Sequence, residues 1–97
     1  MSNLTQINKE VTKKDLIKGT KFMYKYSDST VFTFNDDYIN TDILLTDNTK
    51  AIQANQYNVE SLTDKYLKIW DIQFGQKKVY KVKLQDIQII EINYRLI

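Results

Sequence analysis

The side chains in this sequence that could bind a ligand are mainly aromatic. Tyr24 and Tyr26 alternate along "TKFMYKY", and Trp70 lies within "YLKIWDIQF". An aromatic ring can stack on a flat organic molecule, and a tyrosine hydroxyl can donate a hydrogen bond to it. We predict that six residues bind such a molecule: Tyr24, Tyr26, Trp70, Phe22, Phe34 and Tyr66. Alternatively, each of these residues packs in the hydrophobic core and binds no ligand.

Most enzymatic chemistry is excluded by composition. The sequence has no cysteine and no histidine, which excludes a disulfide, a thiol nucleophile, a histidine base and a structural zinc site. The remaining acidic residues show neither the regular oxygen spacing of a calcium loop nor a carboxylate pair suited to glycoside hydrolysis. They include Asp28, Asp36, Asp37, Asp47, Glu60, Asp64 and Asp86. We therefore predict a protein that is not an enzyme and that needs no metal or cofactor.

A basic run near the carboxyl end could instead contact nucleic acid. It contains Lys77, Lys78, Lys81 and Lys83, with Tyr80 among them. Proteins that hold single strands combine lysines with stacking aromatic rings. In a strand, however, Tyr80 and its neighbour Lys81 point to opposite faces. The net charge of +2 is also small, so we predict a solvated outer face and no nucleic-acid partner.

The chain is long enough for one small domain. It has 97 residues, of which 42% are apolar, and this supports one modest core. We expect an amino-terminal arm over residues 1–11 and a single domain over residues 12–97. The sequence shows neither a signal peptide nor a membrane span, so we expect a soluble, cytoplasmic protein. The many Asn, Lys and Ile residues are typical of AT-rich genomes, bacterial or phage.

A period of two in the apolar residues predicts that almost all of this domain is β-strand. Seven strands are expected, at residues 20–26, 30–35, 38–45, 50–62, 66–74, 79–84 and 86–97. Short turns between them favour an antiparallel meander, which must hide its apolar face. The predicted fold is therefore mainly β, a small antiparallel up-and-down β-barrel with a short amino-terminal helix.

Several local features refine this prediction. Thr12 and Asp15 form an imperfect capping box, which predicts a helix at about 13–18 that stops at Gly19. The polar run 50–62 is typical of an edge strand. Apolar residues change face at Ile89-Ile90, which predicts a β-bulge there.

The fifth predicted strand holds the only tryptophan. Tyr66, Lys68, Trp70, Ile72 and Phe74 share one face of it, and a hairpin turn follows at Gly75. We predict that this face is turned inward. Trp70 is then a core residue, and it also lines a ligand cavity if the barrel has one.

Two stretches resemble a known family. "IKGTKFMYKYSDSTVFTFNDDYIN" is similar to the opening strands of the lipocalin-like (calycin) small barrels of the phenolic acid decarboxylase and MoaF-type group. "YLKIWDIQFGQKKVYKVKL" is similar to their later hairpin. The resemblance implies a barrel whose interior holds a small, usually aromatic, molecule, with Tyr24 and Tyr26 at the positions of the family's substrate-binding tyrosines. The resemblance does not imply decarboxylase activity. Ile72 stands where the family's catalytic acid is expected, and the position expected to hold an arginine falls near Thr41 and Asp42.

Two hypotheses about function follow. In the first, the protein is a non-enzymatic barrel that binds a small organic molecule in its interior. In the second, it is a compact protein-interaction module, or an inhibitor encoded by a phage or mobile element, that acts through its surface. The short chain and the expected edge strand at 50–62 motivate the second hypothesis, because an unpaired edge can accept a strand from a partner.

Overall fold

The protein is described by a computed structural model that covers residues 4–27 and 29–97. Within these residues, nine strands form one sheet. The strands are β1 (Leu4–Ile7), β2 (Lys21–Tyr24), β3 (Thr30–Asn35), β4 (Tyr38–Leu44), β5 (Lys50–Leu62), β6 (Tyr66–Gln73), β7 (Gln76–Lys83), β8 (Ile87–Ile92) and β9 (Arg95–Leu96). The mainly β prediction is confirmed, and β2 to β8 correspond to the seven predicted strands.

The order of the strands combines a meander with one return. β2 to β7 pair consecutively and antiparallel, as predicted. β8 then lies between β1 and β2, antiparallel to both. The two-residue strand β9 pairs parallel with the start of β5. The described ladders leave β7 with a partner on one side only, which is β6.

Each face of the sheet carries a cluster of buried apolar residues. The main core is built from Val11, Leu16, Phe22, Phe32, Phe34, Ile39, Leu67, Ile69, Val82, Leu84 and Ile87. A second, smaller core lies on the opposite face and contains Met23, Val31, Leu44, Ala51 and Ile90. Neighbouring residues of one strand therefore enter different cores, because side chains alternate between faces.

This double coverage overturns the predicted bulge. β8 pairs with β2 in a continuous register that includes Phe22 opposite Ile89 and Lys21 opposite Ile90. Ile89 packs against the main core and Ile90 lies in the second one. The change of face that we interpreted as a bulge is thus a regular strand with apolar residues on both sides.

Aromatic rings fill the middle of the main core. The rings of Phe22 and Phe32 stack with their centroids 5.2 Å apart, and Tyr24 lies 4.9 Å from Phe32 at a tilt. Tyr57 and Tyr80 meet edge to face at 5.8 Å. Stacked and edge-on contacts of this kind add stability beyond the burial of the rings.

The predicted helix at 13–18 is wrong. The chain makes a single 3₁₀ turn, Lys13–Asp15, in which the Asp15 side chain accepts a hydrogen bond of 2.8 Å from the Thr12 amide. A helix this short is unstable alone, and the next residue, Leu16, is buried in the main core. Of the arm at 1–11, residues 4–7 form β1 beside β8, and residues 1–3 lie outside the described part.

The edge prediction for 50–62 is partly confirmed, because β5 lies between β4 and β6 in the strand order but has β4 as its single described partner over residues 52–57. β5 pairs with β4 along its first part and with β6 along its last part. The register of β4 against β5 shifts between Asn40 and Asp42. At this point the Thr41 hydroxyl accepts a hydrogen bond of 2.8 Å from the Asn55 amide and donates one of 2.9 Å to the Asn55 carbonyl oxygen. The polar composition of β5 therefore reflects both its exposed side chains and the single-partner stretch at 52–57.

Truncation of a core ring should test this arrangement. We expect Phe22→Ala to lower the free energy of unfolding by about 3–5 kcal/mol, because a stacked and almost fully buried ring is removed. Urea denaturation followed by tryptophan fluorescence measures the change. Tyr26→Ala is the control, since that ring is 88% exposed, and should shift stability by less than about 0.5 kcal/mol. Equal effects would contradict the assigned core.

Candidate interaction surface on the β6–β7 hairpin

The β6–β7 hairpin has a two-residue loop. Its ladder runs from Gln73 opposite Gln76 to Tyr66 opposite Lys83, so the loop is Phe74-Gly75. Both loop residues have positive φ, 52° for Phe74 and 75° for Gly75, as the common type I′ hairpin turn requires. The hairpin prediction is confirmed, but the turn occupies 74–75 rather than beginning at Gly75.

Phe74 is an unusual residue for this turn. The first position of a type I′ turn favours asparagine, aspartate or glycine, because a bulky side chain is strained in the left-handed region. Among the described residues, the other non-glycine positions with positive φ are Asp36 and Asn48, which tolerate it. The Phe74 ring is also fully exposed. It therefore receives no packing inside the chain that would offset the strain.

More apolar surface lies beside this ring on the outer face of the hairpin. Trp70 is half-buried and opposite Val79, while Ile72 is opposite Lys77. Ile72 is 59% exposed and Val79 is 45% exposed. We call Trp70, Ile72, Phe74, Lys77 and Val79 the hairpin surface. Its apolar groups are neighbours across the two strands, whereas most exposed apolar residues of a protein are scattered.

Lysines border and partly cover this surface. The Lys77 ammonium lies 4.7 Å from the centroid of the Trp70 ring, and Lys81 lies 4.1 Å from that of Tyr66. Lys77 also donates to Glu60 at 2.9 Å, and this bond lowers the pKa of the Glu60 carboxyl. Lys68 is 3.8 Å from the same carboxyl. With one glutamate against several lysines, the outer face carries a net positive charge.

The six predicted ligand-binding residues do not share one site. Phe22 and Phe34 are buried in the main core, and Tyr24 packs on Phe32 at its border. Tyr26 projects from the chain after β2. Tyr66 and Trp70 lie on the outer face of the hairpin, beneath lysine side chains.

The prediction that Trp70 is a core residue is wrong. Leu67 and Ile69 of the same strand enter the main core instead, so β6 presents the opposite face inward. Both faces of this strand carry large apolar residues, and alternation alone cannot choose between them.

The basic run was interpreted correctly in one respect and incompletely in another. Tyr80 faces the core, away from Lys81, as predicted. The aromatic partners of the lysines come instead from the neighbouring strand, where Trp70 and Tyr66 occupy the same face. The signal that could have located them is the register, which a two-residue loop at Phe74-Gly75 determines for the whole hairpin.

A polar cluster lies on the second face of the sheet. The Tyr94 hydroxyl donates to the buried carboxylate of Asp42, and Lys21 donates to Thr33 at 2.9 Å while lying 5.3 Å from the Tyr94 ring. Burial, and then the bond to Asp42, raise the pKa of Tyr94. These residues line a groove of about 450 Å³. Because they bond to one another, the cluster fastens the carboxyl-terminal segment to β4.

The comparisons with known proteins give no relative. No protein-family model, no curated protein and no solved structure matches the chain. The resemblance to the lipocalin-like barrels therefore stays a prediction. Among the described residues, no helix is long and apolar enough to cross a membrane.

We predict that Phe74→Asn stabilises the protein. Asparagine adopts the left-handed conformation at little cost, and the exposed ring makes no contact that would be lost, so the free energy of unfolding should rise by about 1 kcal/mol. Chemical denaturation of the two proteins measures the difference. A loss of stability would show that Phe74 contributes to folding, and would remove the reason to assign it a role outside the fold.

The polar cluster predicts a dependence on alkaline pH. The pKa of Tyr94 is raised in the folded protein, so its contribution to stability is complete below the unfolded pKa of about 10 and is lost as the pH rises above it. Tyr94→Phe should therefore be less stable than the wild type at pH 8. Between pH 8 and pH 11, its stability should fall by less than that of the wild type. Urea titrations at both pH values measure this. Tyr26→Phe, at an exposed site, is the control and should lose as much stability as the wild type. If Tyr94→Phe also lost as much as the wild type, Tyr94 would not be the source of the pH dependence.

Proposed function

We propose that the chain is a non-enzymatic protein-interaction module that binds a partner through the hairpin surface. One observation carries the proposal, which is that a phenylalanine occupies a turn position suited to asparagine and holds its ring in solvent. Strain of this kind is stored where function requires it. The partner is a protein with an apolar pocket for Phe74 and acidic side chains around that pocket.

The geometry suits binding by a central anchor. Aromatic residues dominate the binding energy of many interfaces when they enter a desolvated pocket. Burial of an exposed phenylalanine side chain contributes about 1.5–3 kcal/mol. A tight turn presents the ring on a rigid loop, which lowers the entropy that binding has to overcome. Ile72 and Val79 extend the apolar contact along the strands.

The lysines define the charge of the partner. Lys68, Lys77 and Lys81 surround the apolar groups, and of these Lys68 and Lys77 share the single carboxylate of Glu60. Acidic side chains on the partner would therefore meet a positive rim, which favours fast encounter and selects against basic partners. This attraction should weaken as salt concentration rises.

Binding of a small molecule inside a closed lipocalin-like barrel remains a prediction. It receives less support from the geometry, because the stacked rings of Phe22 and Phe32 are buried in the main core and Tyr24 packs against them at its border. An interior ligand would have to displace them. The hairpin surface needs no rearrangement to bind, and for this reason we favour the interaction module.

The experiment combines affinity capture with reconstitution. Tagged wild-type protein, Phe74→Asn and Ile52→Thr are used to capture partners from the native cells, and each captured protein is then purified and titrated against all three. Ile52 is the matched control, since it is also an exposed apolar residue, 48% accessible, but lies on β5. We expect Phe74→Asn to weaken binding by about 30-fold or more, as for an interface hot spot, and Ile52→Thr to bind like the wild type. A purified partner that binds Phe74→Asn with unchanged affinity would refute the proposal.

A further inference from the structure

Resting on the proposed function, we infer that the partner docks by adding a β-strand to the free edge of β7, and that this strand alternates acidic and apolar residues. Addition of an extended segment to an exposed edge is a common mode of peptide recognition. The main-chain hydrogen bonds supply affinity, and alternate side chains supply specificity. Four features of β7 support this mode.

The first feature is a row of unpaired backbone groups. The two residues that flank a two-residue hairpin loop form a hydrogen-bonded pair, and such pairs then alternate along the ladder. Gln76, Tyr80 and Val82 therefore direct their backbone groups toward β6. Lys77, Val79, Lys81 and Lys83 direct theirs outward, and among the described residues no backbone hydrogen bond to these groups is found.

The second feature is length. β7 has eight residues and lies at the end of the strand order. β1, at the other end, has four. An added strand can form several more hydrogen bonds on β7 than on β1, which is why we assign docking to this edge.

The third feature is charge. Half of the residues of β7 are lysines, at 77, 78, 81 and 83. Lysines on an edge prevent it from pairing with a second copy of the same strand, because like charges would meet. The same lysines attract acidic residues. Since Lys77, Lys81 and Lys83 lie on the outer face, the acidic residues belong on the outer face of the added strand.

The fourth feature is a groove beside the edge. It has a volume of about 400 Å³ and is lined by Tyr24, Tyr26, Ser27, Lys81, Val82, Lys83 and Asp86. Inward-facing side chains of an added strand would enter it and meet the rings of Tyr24 and Tyr26. Apolar residues suit these positions. The groove also provides a role for Tyr26, whose ring is otherwise left in solvent.

The test uses a capped synthetic peptide, as long as β7, that alternates glutamate and valine, and a second peptide with lysine in place of glutamate. Hydrogen exchange of the ¹⁵N-labelled protein is recorded by NMR with and without each peptide. We expect the glutamate peptide to slow exchange at least 10-fold at the amides of Lys77, Val79 and Lys81. The amide of Tyr80, already bonded to β6, serves as an internal reference. Protection by both peptides alike, or by neither, would overturn the inference.

Two variants make the test specific for the backbone and for the charge. Val79→Pro removes one outward amide without removing a bond to β6, since proline is tolerated on the solvent side of an edge strand. It should weaken binding of the glutamate peptide at least 10-fold, whereas Val79→Thr, which keeps the amide, should not. Lys81→Glu should weaken binding of the glutamate peptide and strengthen binding of the lysine peptide. Unchanged binding in both Val79→Pro and Lys81→Glu would overturn strand addition.

The two proposals can fail separately. If a reconstituted partner no longer binds Phe74→Asn but still binds Val79→Pro, strand addition is refuted and the proposed interaction module stands. A partner that is retained by Phe74→Asn refutes the proposed function itself. A partner that binds neither Phe74→Asn nor Val79→Pro, but still binds Ile52→Thr and Val79→Thr, supports the two proposals together.

Discussion

The pairing of β8 with β2 is the interaction on which the rest of this structure depends. It brings the end of the chain back to the first strand of the meander and places Phe22 opposite Ile89. Since both faces of these strands are apolar, one ladder supplies residues to two cores. The carboxyl-terminal segment is fastened to the second face by the hydrogen bond from Tyr94 to Asp42.

The same pairing explains why the β6–β7 hairpin is available for binding. β2 has β8 on one side and β3 on the other, so neither of its edges is open to β7. The 3₁₀ turn Leu84–Asp86 leads the chain away from β7 before β8 begins. The last strand of the meander thus keeps a free edge rich in lysine, and its loop holds Phe74 in solvent. The proposed binding surface lies on the outer face and free edge of the hairpin, whereas Leu67, Ile69 and Val82 of the same two strands pack in the main core.

Prediction from sequence succeeded for the strands and for the meander of β2 to β7, and failed for the position of β8 and for which face of β6 is buried. Alternation located β2 to β8 closely, because a period of two is a local property of the chain. It placed Trp70 inside, since β6 is apolar on both faces. It assigned the whole of β5 to an edge, whereas only residues 52–57 have a single partner in the described ladders. Of the candidate site, the sequence predicted the basic run, the hairpin and the shared face of Trp70, Ile72 and Phe74, but it turned that face inward. Phe74 was assigned to the strand, and its exposure could not be inferred.

The sequence by itself determined that the chain is mainly β and has no cysteine or histidine chemistry, with strands at defined positions and lysines concentrated near residue 80. Tertiary structure alone decided which face of each strand is buried, which strand has an unpaired edge and which residue is held at the tip of the hairpin. The physical reason is that periodicity and composition act between residues close in sequence. Burial and pairing depend on contacts such as Phe22 with Ile89, between residues far apart in the chain.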